Sequence, residues 1–225
     1  MPGPNIAGQR HPDDDGSADP GAVAALAAFA AGEGSEHAAL AALATARLLV
    51  PVVATMGEES SEMALPTLIG NDGRPALPAF TCLDALRRWR PDARPVPVPA
   101  PGVWQAAQET GAVVIDVAGP VPLAVDGARL AALAEGRPVP LPHEDPDVTA
   151  LAREALGRQD VITGFRLLPA AGDADLALEV AVEPSCDAAR AREAVSRSVA
   201  GIMSGAGGRT RRGVEVSITV AGRAK

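Results

Sequence analysis

The sequence has no tyrosine, only three phenylalanines and two tryptophans in 225 residues. Its cores must therefore be built from Leu, Val, Ile and Ala, within an apolar content of 47%. Lysine is nearly absent. Of 20 Lys and Arg residues only Lys225 is lysine. With heavy Ala, Gly and Pro, that bias suggests a GC-rich genome such as an actinobacterium's, a codon effect and not a functional signal. Two cysteines, Cys82 and Cys186, are too few and too far apart for a disulfide framework, and free thiols in a reducing cytosol are the plainer reading. No apolar run approaches the roughly 18 residues a membrane helix needs. Lone Arg10 followed by Asp13, Asp14 and Asp15 opposes a signal peptide, so a cytoplasmic protein is expected. The net charge of -8 disfavours phosphate backbones, so nucleic-acid binding is not expected.

What is present is organised as two domains. Residues 1–18 are polar, acidic and Pro/Gly-rich and read as a disordered tail. A first domain over 19–137 opens with helices and a strand near Leu48–Ala54 whose Pro51 demands an edge or a bulge. Its most informative stretch is Met63–Trp89. Apolar runs Ala64–Ile69 and Ala76–Phe80 flank Gly70-Asn71-Asp72-Gly73, the pattern of a β-hairpin. A helix follows, with Thr81 at the N-cap, Asp84 three residues on, and Leu83, Leu86 and Trp89 on one face. Trp89 is thereby expected to anchor the core. Ala112–Val117 is apolar until Asp116 and fits a strand covered on both faces. A proline-spaced linker, 138–147, leads to a second domain over 148–225. There, Leu176, Leu178, Val180, Val182 and Val214, Val216, Ile218, Val220 alternate with small or polar residues. The fold class is α/β (α+β): a mixed-sheet N-terminal domain followed by a smaller two-layer α-β-β-α-β domain.

Signals for chemistry are few. The glycines of Gly201–Gly208 follow a helix instead of preceding one, which suits a C-cap and not a phosphate loop. His11, His37 and His143 have no ligand spacing, and Glu58, Glu59 and Glu62 suit a solvated loop better than a hard-cation site, since nothing constrains their geometry. No metal or cofactor is expected. Cys82 could gain thiolate character at a helix start or serve as a small filler. Asp116 is a candidate pocket acid, with a carboxyl group that burial could convert into a general acid or base; the plainer reading is that it caps the turn at 118–120. Arg87, Arg88, Arg90 and Arg94 form one basic patch and Arg209, Arg211 and Arg212 another, solvated surface or docking forks for acidic groups. In the second domain, one sheet face should carry Arg166, Glu179, Glu183, Glu215, Ser217 and Thr219, either simply wet or a polar partner surface.

The strand, the Asp-Gly-Arg turn at 72–74, the Ala-Leu-Pro-Ala-Phe-Thr strand at 76–81 and the helix ending in Trp89 resemble the SseB N-terminal domain family. The resemblance spans about residues 40–135, and the layout of 146–222 is similar to that family's C-terminal domain. The family often shows Asn-Pro where Asp116-Val117 stands here. It has no established catalytic residue to carry over. The lack of a catalytic constellation and the open sheet face of the second domain point to a protein-binding or regulatory module without catalysis, with an unidentified protein partner. The alternative is a metabolite-binding protein or enzyme with a pocket between the domains involving Asp116.

Overall fold

The computed structural model describes residues 14–56, 61–120 and 122–221. The chain is α+β and divides into two compact units, with the later boundary between Val139 and Pro140. The expected tail lies outside the described residues over 1–13. Residues 14–18 are fastened: Asp14 pairs with Arg47 Nε at 2.7 Å, and Leu83 N–H donates to Gly16 O at 2.9 Å.

In the first unit, helix α1 (Pro20–Ala31) starts on Asp19, whose carboxylate accepts from Ala22 N–H, with Pro20 in the first turn. After α2 (Glu36–Leu43) comes β1 (Arg47–Met56), then β2 (Ser61–Ala64), β3 (Leu68–Ile69) and β4 (Pro75–Ala79). Strands β3 and β4 form the expected hairpin, pairing Leu68 with Ala76 and Ile69 with Pro75. Its turn needs one positive φ, supplied by Gly73 at +78°. Helix α3 (Leu83–Trp89), β5 (Arg94–Pro99), α4 (Ala100–Ala107), β6 (Ala112–Ile115), β7 (Leu123–Asp126) and α5 (Gly127–Ala134) complete the unit.

Two sheets result, in the orders β2-β1-β5 and β3-β4-β6-β7, and a bridge between Leu49 and Phe80 ties them. Pro51 is not on an edge strand, because β1 is central. The expectation meets the geometry differently. Leu49 N–H points away from β5, to Phe80 O. Directions alternate along a strand, so the donor that Pro51 lacks would also point away from β5. On that side the ladder to β2 begins only at Val53. Pro95 and Pro97 face Pro51 and Leu49 across the pair. By the same alternation their missing donors lie on the outer edge of β5.

Trp104, fully buried, is the aromatic centre of the main core, among Leu40, Leu43, Leu48, Val50 and Val113. Trp89 is half-buried and packs its ring on Phe80 at 5.4 Å, beside a smaller cluster of Leu49, Ala85 and Leu86. The three-residue spacing that favours Trp89 reports a helix face but not how deep that face goes.

The second unit runs α6 (Pro146–Gly157), β8 (Ile162–Leu168), β9 (Leu176–Val182), α7 (Ala188–Ala206), one 3-10 turn (Gly207–Thr210) and β10 (Val214–Val220). The strand order is β10-β9-β8, with β9 antiparallel to β8 and parallel to β10. This is the α-β-β-α-β order read from the sequence. Leu156, Val195 and Ile202 from the helices bury Leu178, Val180 and Val182 from β9. The stretch taken for a linker is partly structural: Val139 joins the first unit's core, and Asp145 caps α6.

Candidate functional site

Strands β4 and β6 run parallel, with Ala79 opposite Ile115. Both chains therefore leave the sheet at the same end, where Thr81 and Asp116 meet. Asp116 N–H donates to Ala79 O at 2.9 Å. Thr81 N–H donates to Asp116 Oδ1 at 2.9 Å, and Thr81 Oγ1 to Oδ2 at 2.7 Å. Asp116 turns the chain with φ at +49°, the left-handed region that Asn and Asp tolerate best among side-chain-bearing residues. The turn closes with Gly119 N–H on Asp116 O at 2.7 Å. A Cβ on Gly119 would stand 2.9 Å from that same carbonyl, so only glycine fits.

Burial pushes the Asp116 carboxyl above its ordinary value; the two Thr81 hydrogen bonds and the Arg88 charge pull the other way and do not overcome it. Because the folded pKa is raised, the folded state holds this proton longer than the unfolded chain. Ionisation therefore costs stability, and the cost grows as pH rises from below 3.8 through the folded value. Asp116→Asn should remove that cost. The amide can accept from Thr81 N–H, donate to its hydroxyl, and hold a positive φ. Thermal unfolding at neutral pH should give a midpoint at or above wild type, with the gain shrinking as the pH falls through the raised folded value and gone below 3.8. A midpoint below wild type at neutral pH that recovers toward wild type in acid would mean the carboxylate is held by attraction that outweighs burial.

Thr81 was expected to cap α3. It is instead committed to Asp116, and Cys82 Sγ takes the cap, accepting from Ala85 N–H at 3.5 Å. Thr81 O accepts from Arg47 Nη1 at 3.3 Å, and Arg47 Nη2 also reaches Ser17 O. Thr81 is buried. It was missed in the sequence because its partner lies 35 residues away; parallel pairing of two short strands is not a local signal.

The other singled-out residues fall into three groups. Arg87 and Arg88 are exposed on α3, and Arg90 pairs with Asp92 at 3.3 Å. The register aligns Arg166, Glu179 and Ser217 across the uncovered face of the second sheet, with Glu215 and Thr219 beside Ser217 on β10. Arg166 Nε donates to Glu179 Oε2 at 3.0 Å. Glu215 accepts from the N–H groups of Ala171 and Gly172 at 3.2 and 3.0 Å. Glu183 lies just past β9 and is exposed. The basic cluster at 209–212 is largely structural: Arg209 lies against Asp145, and Arg212 Nε donates to Asp175 at 2.9 Å.

Among the described residues no group of three or more His, Cys, Asp and Glu could hold a metal ion, and both cysteines are free. Glu58, Glu59 and His11 lie outside the described residues. No helix among those described is long and apolar enough to cross a membrane. A family model for the SseB protein N-terminal domain matches residues 23–132. No curated protein and no solved structure matches the chain.

Proposed function

Residues 23–132 form an SseB protein N-terminal domain, and from that premise we propose that the chain is a non-catalytic protein-binding or regulatory module working in the cytoplasm. The observation that carries this reading is the face of the second sheet opposite its helices. Arg166, Glu179, Ser217 and Thr219 stand there in register on three neighbouring strands. Both signs of charge are present, and the central acid is already neutralised by Arg166. Such a surface selects a polar partner more by alignment of charges than by apolar burial. Asp116 supports the same reading from the other unit. Its carboxylate oxygens are taken by Thr81, so the acid holds a turn instead of standing ready for a substrate proton.

Glu179→Arg with Glu215→Arg tests the surface. The change loses one exposed ion pair and two exposed hydrogen bonds, so unfolding should shift by no more than about 1 kcal/mol. An affinity pull-down from native cells, read by mass spectrometry, should then lose the partner retrieved by wild type. Recovery of every partner at wild-type yield would leave this face as solvated sheet.

A further inference from the structure

The second unit's sheet has two edges, and they are built differently. On β8 the register slips between Ile162 and Gly164, which kinks the edge, and Arg166 projects a charge beside it. In the first unit, the outer edge of β5 is blocked by Pro95, Pro97 and Pro99. Strand β10 has none of these devices. Val214–Val220 is seven residues long, in unbroken register with β9, with no proline, glycine or basic residue and Glu215 as its one charge. Its side chains Val216, Ile218 and Val220 are 42%, 39% and 64% exposed. They lie on the same face as buried Leu178, Val180 and Val182, so an apolar layer continues past the last strand.

The direction of the free backbone groups follows from the ladder. Gly213 O and Ala221 N–H both bond to β9's side, to Asp175 N–H and Val182 O. In a parallel pair, alternate residues turn both groups to the partner. Odd-numbered residues therefore face β9, and Val214, Val216, Ile218 and Val220 turn N–H and C=O outward.

We propose that β10 is a self-association edge, on which two copies of this chain pair antiparallel through Val214–Val220 about a two-fold axis at Ser217. In that register Val216 meets Ile218 of the second copy and Val214 meets Val220, each pair exchanging two backbone hydrogen bonds. The β-branched side chains pair on the apolar face. On the other face Glu215 meets Thr219 and Ser217 meets Ser217, so the strand's one charge never opposes itself. The charge pattern fits a second copy of the same strand. The blocked β8 edge stops head-to-tail growth, so pairing closes as a dimer with one six-stranded sheet. This goes beyond the partner surface proposed above, which uses the sheet's face and not its edge.

The test uses the full chain. Light scattering after size exclusion should give twice the 22.7 kDa chain mass, and Ile218→Lys should give the monomer mass with the far-UV circular dichroism of wild type, so that the loss is of pairing and not of fold. The two-fold places the Ser217 pair at a non-hydrogen-bonded site, with Cα atoms about 4.5 Å apart, within disulfide range. Mild oxidation of Ser217→Cys should therefore give a covalent dimer, while Thr219→Cys, which faces Glu215, should stay uncrosslinked like wild type. A monomer at every concentration would overturn the proposal, including one whose edge captures a foreign peptide. So would a dimer indifferent to Ile218→Lys, or crosslinking of Thr219→Cys as efficient as that of Ser217→Cys.

Discussion

Asp145→Ala should cost about 3–5 kcal/mol, since it strips a buried guanidinium of its nearest carboxylate and α6 of its cap. Asp145 is 1% exposed and the side chain of Arg209 is 8% exposed. The Arg209 Nε lies 3.0 Å from Asp145 Oδ2, while Oδ1 accepts from Asp147 N–H at 2.8 Å and caps α6. One side chain therefore anchors a helix start and neutralises a buried guanidinium. Asp147 retains a second contact with Arg209 at 3.3 Å, which places the loss toward the lower end of the range. Urea unfolding of the full chain measures it. Asp145→Asn with Arg209→Met should cost less than the two single changes summed, because the double variant leaves no orphan charge. A loss under about 1 kcal/mol for Asp145→Ala would show that water reaches the guanidinium.

Trp104→Ala should destabilise the first unit by about 3–5 kcal/mol, the range for a large aromatic removed from a core. The indole is fully buried, and its Nε1–H donates to Ala44 O at 3.3 Å, so truncation opens a cavity and also strips a carbonyl of its partner. Trp89→Ala should cost less, because that ring is half-buried and packs mainly on Phe80. With two tryptophans in the chain, fluorescence separates them. Trp89→Phe should leave the blue-shifted emission of a dry indole and Trp104→Phe the redder emission of a wet one. The opposite order of emission or of stability loss would return Trp89 to the central role its helix spacing suggests.

Local pattern was enough for much of the architecture. The period-two alternation of Leu176–Val182 dictates one buried and one open face, and the strand pairs accordingly. Asp19-Pro20 specifies a helix start, and Gly73 the hairpin turn, because each meets a backbone need set within a few residues. The layout of the second unit was legible for the same reason: its helical stripes and alternating strands are strong and well separated. Tertiary structure alone decided the pairings. Thr81 could cap its own helix or bind Asp116, and the parallel register of β4 and β6 chose Asp116. Arg209 reads as surface charge until α6 and the turn after α7 bring Asp145 to it. Trp104 and Trp89 each sit on a short helix, and only the packing of sheets on helices ranks their depth. Periodicity fixes which way a side chain points relative to its own element. What stands opposite it depends on register and docking between segments far apart in the chain, and no local window contains that information.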